Sequence, residues 1–236
     1  MDDTPPIGRS RRDLLRLGVA GTVLMATQPG AVAAPQAAPG LPAPEKPVRL
    51  AFGVLWRGQN VGSHEFAIDP DGRGGMSVRL NTKIRIRIGF ITAYRYEQTS
   101  DEVWTDGALT VLNSTTNDDG QTSTVTGKRI ADNIELRGPG GPYVAPGNSL
   151  TTTCVWNDAF VSRTSVIDVG DGTVVGLVVD DKGGSPVEKV GGGKDAQRFD
   201  IITPYLAGSL WYPPRGLLLQ ARIERKGETL DYVASA

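Results

Sequence analysis

Between Met76 and Ile88 the chain alternates: Leu80, Thr82, Ile84, Ile86 and Ile88 take every second position, with Arg79, Asn81, Lys83, Arg85 and Arg87 between them. A strand sends successive side chains to opposite faces, whereas a helix would scatter both sets around its circumference. The segment is therefore predicted to be a strand with one buried and one wet face.

The same period, cut by Gly, Asn, Asp and Pro, runs on from Val48 with almost no helical periodicity. Arg49 to Trp56 and Val61 to Ile68 flank Arg57-Gly58-Gln59-Asn60, which reads as a hairpin, and Asp69-Pro70-Asp71-Gly72 makes the next turn. Ile91 to Trp104, Ala108 to Asn117, Thr122 to Ile130 and Asn133 to Leu136 continue an antiparallel meander through turns at Thr105-Asp106-Gly107 and Asp118-Asp119-Gly120. Gly138-Pro139-Gly140-Gly141-Pro142 breaks the pattern and leads through Trp156-Asn157-Asp158, an irregular flank with room for a short helical turn. Further strands are predicted near Ser165 to Val169, Thr173 to Val179, Ala196 to Thr203, Leu206 to Tyr212, Leu217 to Arg225 and Thr229 to Ala234. About twelve strands cannot stay flat, because twist accumulates and open edges aggregate. The expected fold is all-β: an antiparallel meander forming a barrel or strongly curved half-barrel. No repeat of fixed spacing argues for a propeller or solenoid.

Ahead of this domain, Ser10-Arg11-Arg12-Asp13-Leu14-Leu15-Arg16 and the apolar run Leu17 to Ala26 have the form of a twin-arginine export signal, with Ala31-Val32-Ala33 suited to signal peptidase. Residues 1–33 are thus expected to be a signal peptide that engages the twin-arginine translocase and then signal peptidase. The expected location is periplasmic or secreted. The apolar run is shorter than the roughly 20 residues of a membrane span, and no later window reaches that length, so the mature chain is expected to have no transmembrane segment. Residues 34–47 are rich in Pro and Ala and read as an extended tether, followed by a single β domain over 48–236.

Removing Arg9, Arg11, Arg12 and Arg16 together with Asp2, Asp3 and Asp13 reduces 25 basic and 26 acidic residues to 21 and 23, a net charge of −2. A chain so near neutrality lacks the basic footprint of a nucleic-acid binder. Cys154 is the single cysteine, so no internal disulfide staples the fold and stability must come from its core. No cofactor is expected. The chain has no Cys-x-x-Cys-His, no cysteine set for an iron–sulfur cluster and no dinucleotide fingerprint, and Gly191-Gly192-Gly193-Lys194 lacks both the Walker spacing and a following Ser or Thr.

His64 is the sole histidine, so imidazole chemistry would have to run through it. Strand parity places it beside Gly62 and Phe66, equally a packed or a pore-lining position. Cys154, without a cysteine partner, reads as a buried structural thiol. The acidic turns Asp69 to Gly72, Asp118 to Gly120 and Asp168 to Gly172 are incomplete as calcium loops and suit tight turns for backbone reasons, so no metal site is expected. Asp101 and Glu102 point to opposite faces, which weakens a glycosidase reading. Arg79, Lys83, Arg85 and Arg87 form a basic row that either pairs with Glu97, Asp101 and Glu102 across strands or lines an anion-binding groove.

The block Gly53 to His64 and the block Tyr94 to Leu109, together with Trp156-Asn157, Leu210-Trp211-Tyr212 and Gly216-Leu217-Leu218, resemble a proteobacterial family, domain of unknown function 6134. The resemblance spans nearly all of the mature chain and implies a secreted β-protein, with no catalytic residues attached. Pro213-Pro214-Arg215 departs from it, standing where an Asp-containing turn is expected. At fold level alone, the expected curved sheet resembles periplasmic lipoprotein carriers.

These features point to a non-enzymatic β-protein that binds an apolar or amphipathic ligand such as a lipid in a concave interior, with Trp56, His64, Arg85, Tyr94, Tyr96 and Trp104 as candidate ligand-binding residues. No catalytic residue is assigned. Two alternatives stand beside it. One is a hydrolase using Glu97, Asp101 or Glu102 near His64, which requires those groups in one pocket. The other is an envelope scaffold or interaction module, favoured by a solid interior and an exposed apolar patch.

Overall fold

The computed structural model describes residues 40–187, 195–225 and 227–235. The leader, residues 34–39 of the tether and the Gly191–Lys194 loop lie outside the described residues.

Fifteen strands are described: β1 (Val48–Trp56), β2 (Gln59–Pro70), β3 (Met76–Ile88), β4 (Ile91–Thr105), β5 (Ala108–Asp118), β6 (Gln121–Ile130), β7 (Asn133–Gly138), β8 (Gly141–Pro146), β9 (Ser165–Ile167), β10 (Val174–Gly176), β11 (Val178–Pro186), β12 (Asp195–Ile202), β13 (Ala207–Tyr212), β14 (Gln220–Arg225) and β15 (Glu228–Ala234). Thirteen of them form one antiparallel sheet in the order β11-β12-β13-β14-β15-β1-β2-β3-β4-β5-β6-β7-β8, and β9 and β10 form a separate ribbon. The sheet is open, with β8 and β11 as its edges. The all-β class and the antiparallel meander hold, and the expected barrel or half-barrel takes the form of an unclosed curved sheet.

Curvature follows from the core. Laid flat, thirteen strands would span about 60 Å. Yet Ala145 on β8, Leu80 on β3 and Ile201 on β12 belong to one buried cluster with Trp156 and Phe160. The sheet must wrap around that cluster. Two 3₁₀ turns, Thr152–Trp156 and Asp158–Ser162, and the β9–β10 ribbon supply Cys154, Trp156, Phe160, Val166, Ile167 and Val175 to the space it encloses.

The prediction for β3 holds from Met76 to Ile86, where burial alternates, and fails at Ile88, expected on the buried face but exposed near the β3–β4 turn. Several boundaries differ. The β1–β2 connection shrinks to Arg57 and Gly58, both at positive φ (51° and 79°), because pairing continues to Trp56↔Gln59. Gly141–Pro146, read as irregular, is a strand; its prolines are tolerated because β8 is an edge. Thr173 to Val179 splits into β10 and the start of β11 around buried Leu177. The predicted strand from Leu217 begins only at Gln220, because Gly216–Leu218 instead bonds to the two 3₁₀ turns: Asp158 N–H of the second donates to Gly216 O at 3.3 Å, and Leu218 N–H donates to Trp156 O of the first at 3.0 Å. Packed chain also starts before Val48. Leu41 is fully buried, and its N–H donates to Gly107 O at 2.9 Å.

Candidate functional site

Neighbouring strands alternate in direction, so the connections β1–β2, β3–β4, β5–β6, β7–β8, β12–β13 and β14–β15 fall at one end of the sheet. The opposite end is closed by Leu41, Trp104, Leu109 and the 3₁₀ turns.

Near the closed end, β4 turns Ser100, Glu102 and Trp104 inward. Glu102 is buried and accepts bonds from Trp104 Nε1 (2.9 Å), Thr151 Oγ1 (3.0 Å), Thr153 Oγ1 and, more weakly, Ser100 Oγ (3.4 Å). Burial raises its pKa from the usual carboxyl range, and the four donors offset this only in part. Cys154 lies beside it, Sγ 3.2 Å from Thr151 Oγ1, with its thiol pushed up chiefly by burial. A buried thiol disfavoured as thiolate is unreactive. The cluster is a satisfied polar knot inside the core.

Toward the open end, a second cluster gathers Val54, Ile84 and Ile86, packed by half-buried Trp56, Val61, Tyr94, Tyr96, Leu230 and Tyr232. Trp56 Nε1 donates to Glu228 Oε2 at 2.7 Å, and the Arg57 guanidinium lies 4.5 Å from the Trp56 ring centroid. His64 stands between the two clusters. Its ring meets Phe66 edge-on at 4.7 Å and Tyr232 at 5.1 Å, with Nδ1 2.7 Å from Thr82 Oγ1. Burial pushes its pKa down to about 4, so the ring is neutral near pH 7. Gly62, two residues earlier, is required by close approach: a Cβ there would lie 1.9 Å from Lys83 O.

Of the six predicted ligand residues, the structure brings together Trp56, Tyr94 and Tyr96, with His64 adjoining through Tyr232. Trp104 is 1% exposed in the main core beside Glu102. Arg85 is on the outer face, across the sheet from the aromatics, paired in register with Arg95. The basic row divides: Arg79 meets Asp101 at 2.6 Å, as cross-strand pairing expects, whereas Glu97 is taken by Arg95 at 2.7 Å.

The carboxylates do not converge. Asp101 and Glu97 lie on the outer face, and Glu102 sits four residues beyond Gln98, the β4 position in line with His64 through Thr82. That is about 13 Å along the strand. Two of the acidic turns serve their own backbones: Asp71 Oδ1 accepts from Arg73 N–H at 2.7 Å and Gly75 N–H at 2.9 Å, and Asp168 Oδ1 from Gly170 N–H at 2.7 Å; in the third, Asn117 Oδ1 accepts from Gly120 N–H at 2.8 Å. Among the described residues no group of three or more His, Cys, Asp or Glu side chains is placed to hold a metal. No helix among them is long and apolar enough to cross a membrane.

Two of the open grooves among the described residues lie elsewhere. One, of about 360 Å³, runs between the β12–β13 and β14–β15 tips past Tyr205, Leu206 and Glu224. The other, of about 410 Å³, lies on β6 and β7 around Thr124 and Arg137. Neither contains the aromatic cluster.

Fold and site define an open antiparallel β half-barrel whose hollow is filled by its own chain. Residues 52–235 match the domain of unknown function DUF6134, and the chain belongs to that family. The fold is similar to the crystal structure of a beta-barrel-like protein of domain of unknown function DUF1849 from Brucella abortus, 10% identical, covering 84% of this chain and 98% of that one with a TM-score of 0.61. No curated protein matches the chain. The converging family blocks explain one another: Asn157 bridges to Leu217, and the Tyr212 hydroxyl donates to Val155 O at 2.7 Å.

Proposed function

We propose that the protein is an exported, non-catalytic interaction module of the cell envelope that meets an apolar or amphipathic partner at the open end of its sheet. One observation carries this reading. The concave face is packed with Cys154, Trp156, Phe160, Val166 and Ile167 from the protein itself, while large apolar side chains stand exposed at the open end. A binding protein of this architecture with a solid interior has its surface to work with. The twin-arginine pattern at Arg11-Arg12 supports delivery across the membrane. The separation of Glu102 from Glu97, Asp101 and His64 leaves the hydrolase alternative without a pocket.

A second reading has its own support. Trp56, Tyr94 and Tyr96 are half-buried around Val54, Ile84 and Ile86, forming an aromatic rim suited to a small amphipathic ligand such as a lipid. Native mass spectrometry of the protein purified from its export compartment, with organic extraction of small molecules, separates the two. The bare polypeptide mass is expected for the interaction module. A reproducible adduct that disappears in Tyr94→Ala would establish the rim as a ligand site instead.

A further inference from the structure

The β3–β4 hairpin reaches past both of its neighbours. The β2–β3 ladder stops at Gly62↔Ile84, although β2 itself runs on to Gln59, and the β4–β5 ladder stops at Tyr96↔Asp118 with one further bond from Asp119 N–H to Arg95 O at 2.7 Å, so from Arg85↔Arg95 outward the ladder pairs are made only within the ribbon. At about 3.3 Å per residue the ribbon runs roughly 13 Å past its last ladder pair with β2 before it turns. It turns at Gly89-Phe90, with Gly89 at φ 60°, and its tip carries Ile88 (64% exposed), Phe90 (fully exposed) and Ile91 (72%).

Nothing in the turn calls for three large apolar side chains. The tips on either side, Arg57-Gly58 and Asp119-Gly120, are polar and close equally well. Behind the tip, on the outer face, Arg85 and Arg87 are exposed, and among the described residues neither has an acidic partner. The acidic side chains nearest in register, Glu97 and Asp118, belong to the base of the ribbon, and Glu97 is held by Arg95.

We infer that this tip is an insertion loop for an anionic lipid bilayer: Ile88, Phe90 and Ile91 enter the boundary between headgroups and acyl chains while Arg85 and Arg87 meet lipid phosphates. A wedge of three apolar residues binds a bilayer weakly, and stable attachment needs a second signal. The two arginines supply it, each adding attraction to an anionic surface. The ribbon is packed on its inner face only as far as Ile86 and Tyr94, so its exposed tip can enter a fluid phase, and its charge complements that phase. The inference rests on the proposed reading only in taking the open end as the working surface; it is independent of any ligand at the aromatic rim.

The test uses the chain without residues 1–33, so that the apolar leader contributes nothing, and measures flotation with phosphatidylcholine vesicles lacking or containing phosphatidylglycerol. The expected result is partitioning onto phosphatidylglycerol vesicles that weakens as salt is added. The pair Phe90→Ser and Ile91→Ser is expected to lower partitioning by at least about tenfold. The pair Arg85→Gln and Arg87→Gln is expected to lower it by about tenfold and to flatten its salt dependence. Cys154 is buried, so Ala93→Cys takes a polarity-sensitive dye at the ribbon alone, and its emission should shift to the blue on binding. Unchanged circular dichroism and Tm in each variant show that the fold is intact. The inference is overturned if the unaltered chain ignores phosphatidylglycerol vesicles, if the Phe90 and Ile91 pair leaves partitioning unchanged, or if the dye does not shift. Self-association through the tip without vesicle binding would also overturn it, in favour of a second copy of the chain.

Discussion

Glu102 and His64 face inward from the sheet, and burial disfavours the charged form of each, with opposite consequences for stability. His64 has a folded pKa of about 4 against 6.5 in the open chain. As pH falls from about 6.5 to about 4, the unfolded state takes up a proton that the folded state refuses, and stability drops by up to about 3 kcal/mol. In His64→Gln that part of the slope should vanish, as read by urea denaturation across the interval. Glu102 acts the other way. Its folded pKa is raised, so its protonated form stabilises at low pH, and stability is lost as pH rises from the open-chain value through the folded one. Glu102→Gln should remove that loss, whereas Glu102→Leu strands the Thr151, Thr153 and Trp104 donors and should cost about 3 kcal/mol. Strand parity separates Glu102 from Asp101 but leaves both on offer to the basic row; the structure turns Glu102 inward with Trp104, away from that row. Its partners were not legible in sequence, because Thr151 and Thr153 come from a segment without period.

Among the elements, legibility followed how completely one face of each strand is buried. The segments β3, β5 and β6 alternate because they have one wet face, and their bounds were readable to within a residue or two. The edge β8 was hidden by Pro142 and Pro146, and β11 by Gly183-Gly184, where the ladder also shifts register. The projection of the β3–β4 ribbon was illegible for another reason: alternation assigns faces within a strand but says nothing about where its neighbours stop. The 3₁₀ turns depend on local bonds that are testable singly. Asn157 Oδ1 accepts the Ala159 N–H at 2.9 Å at the start of the second turn. Asn157→Ala should cost about 1 kcal/mol, measured as a fall in the urea midpoint, with an unchanged far-ultraviolet spectrum.

Across the whole molecule, the packed domain extends upstream of the first strand. Leu41→Ala should cost about 2 to 5 kcal/mol in urea denaturation, the range for emptying a buried leucine site, although the residue lies in a stretch whose composition reads as a tether. Both sheet edges carry features that discourage further strand addition. Pro142 and Pro146 remove donors from β8, and a register shift and Pro186 interrupt β11. Replacing both β8 prolines by Thr should produce concentration-dependent association on size-exclusion chromatography.

The pairing of β1 with β15 sets the order in which this sheet can be completed. Tyr232 finds Val54 across nearly the whole described chain, and contacts so distant in sequence form slowly. Until β15 arrives, β1 is a bare edge in the middle of what will become one sheet, with β1–β8 and β11–β14 unjoined. A ribosome-bound or truncated chain therefore presents two more unpaired edges than the finished molecule, and the joining of two half-sheets, rather than hairpin formation, should limit the rate of folding.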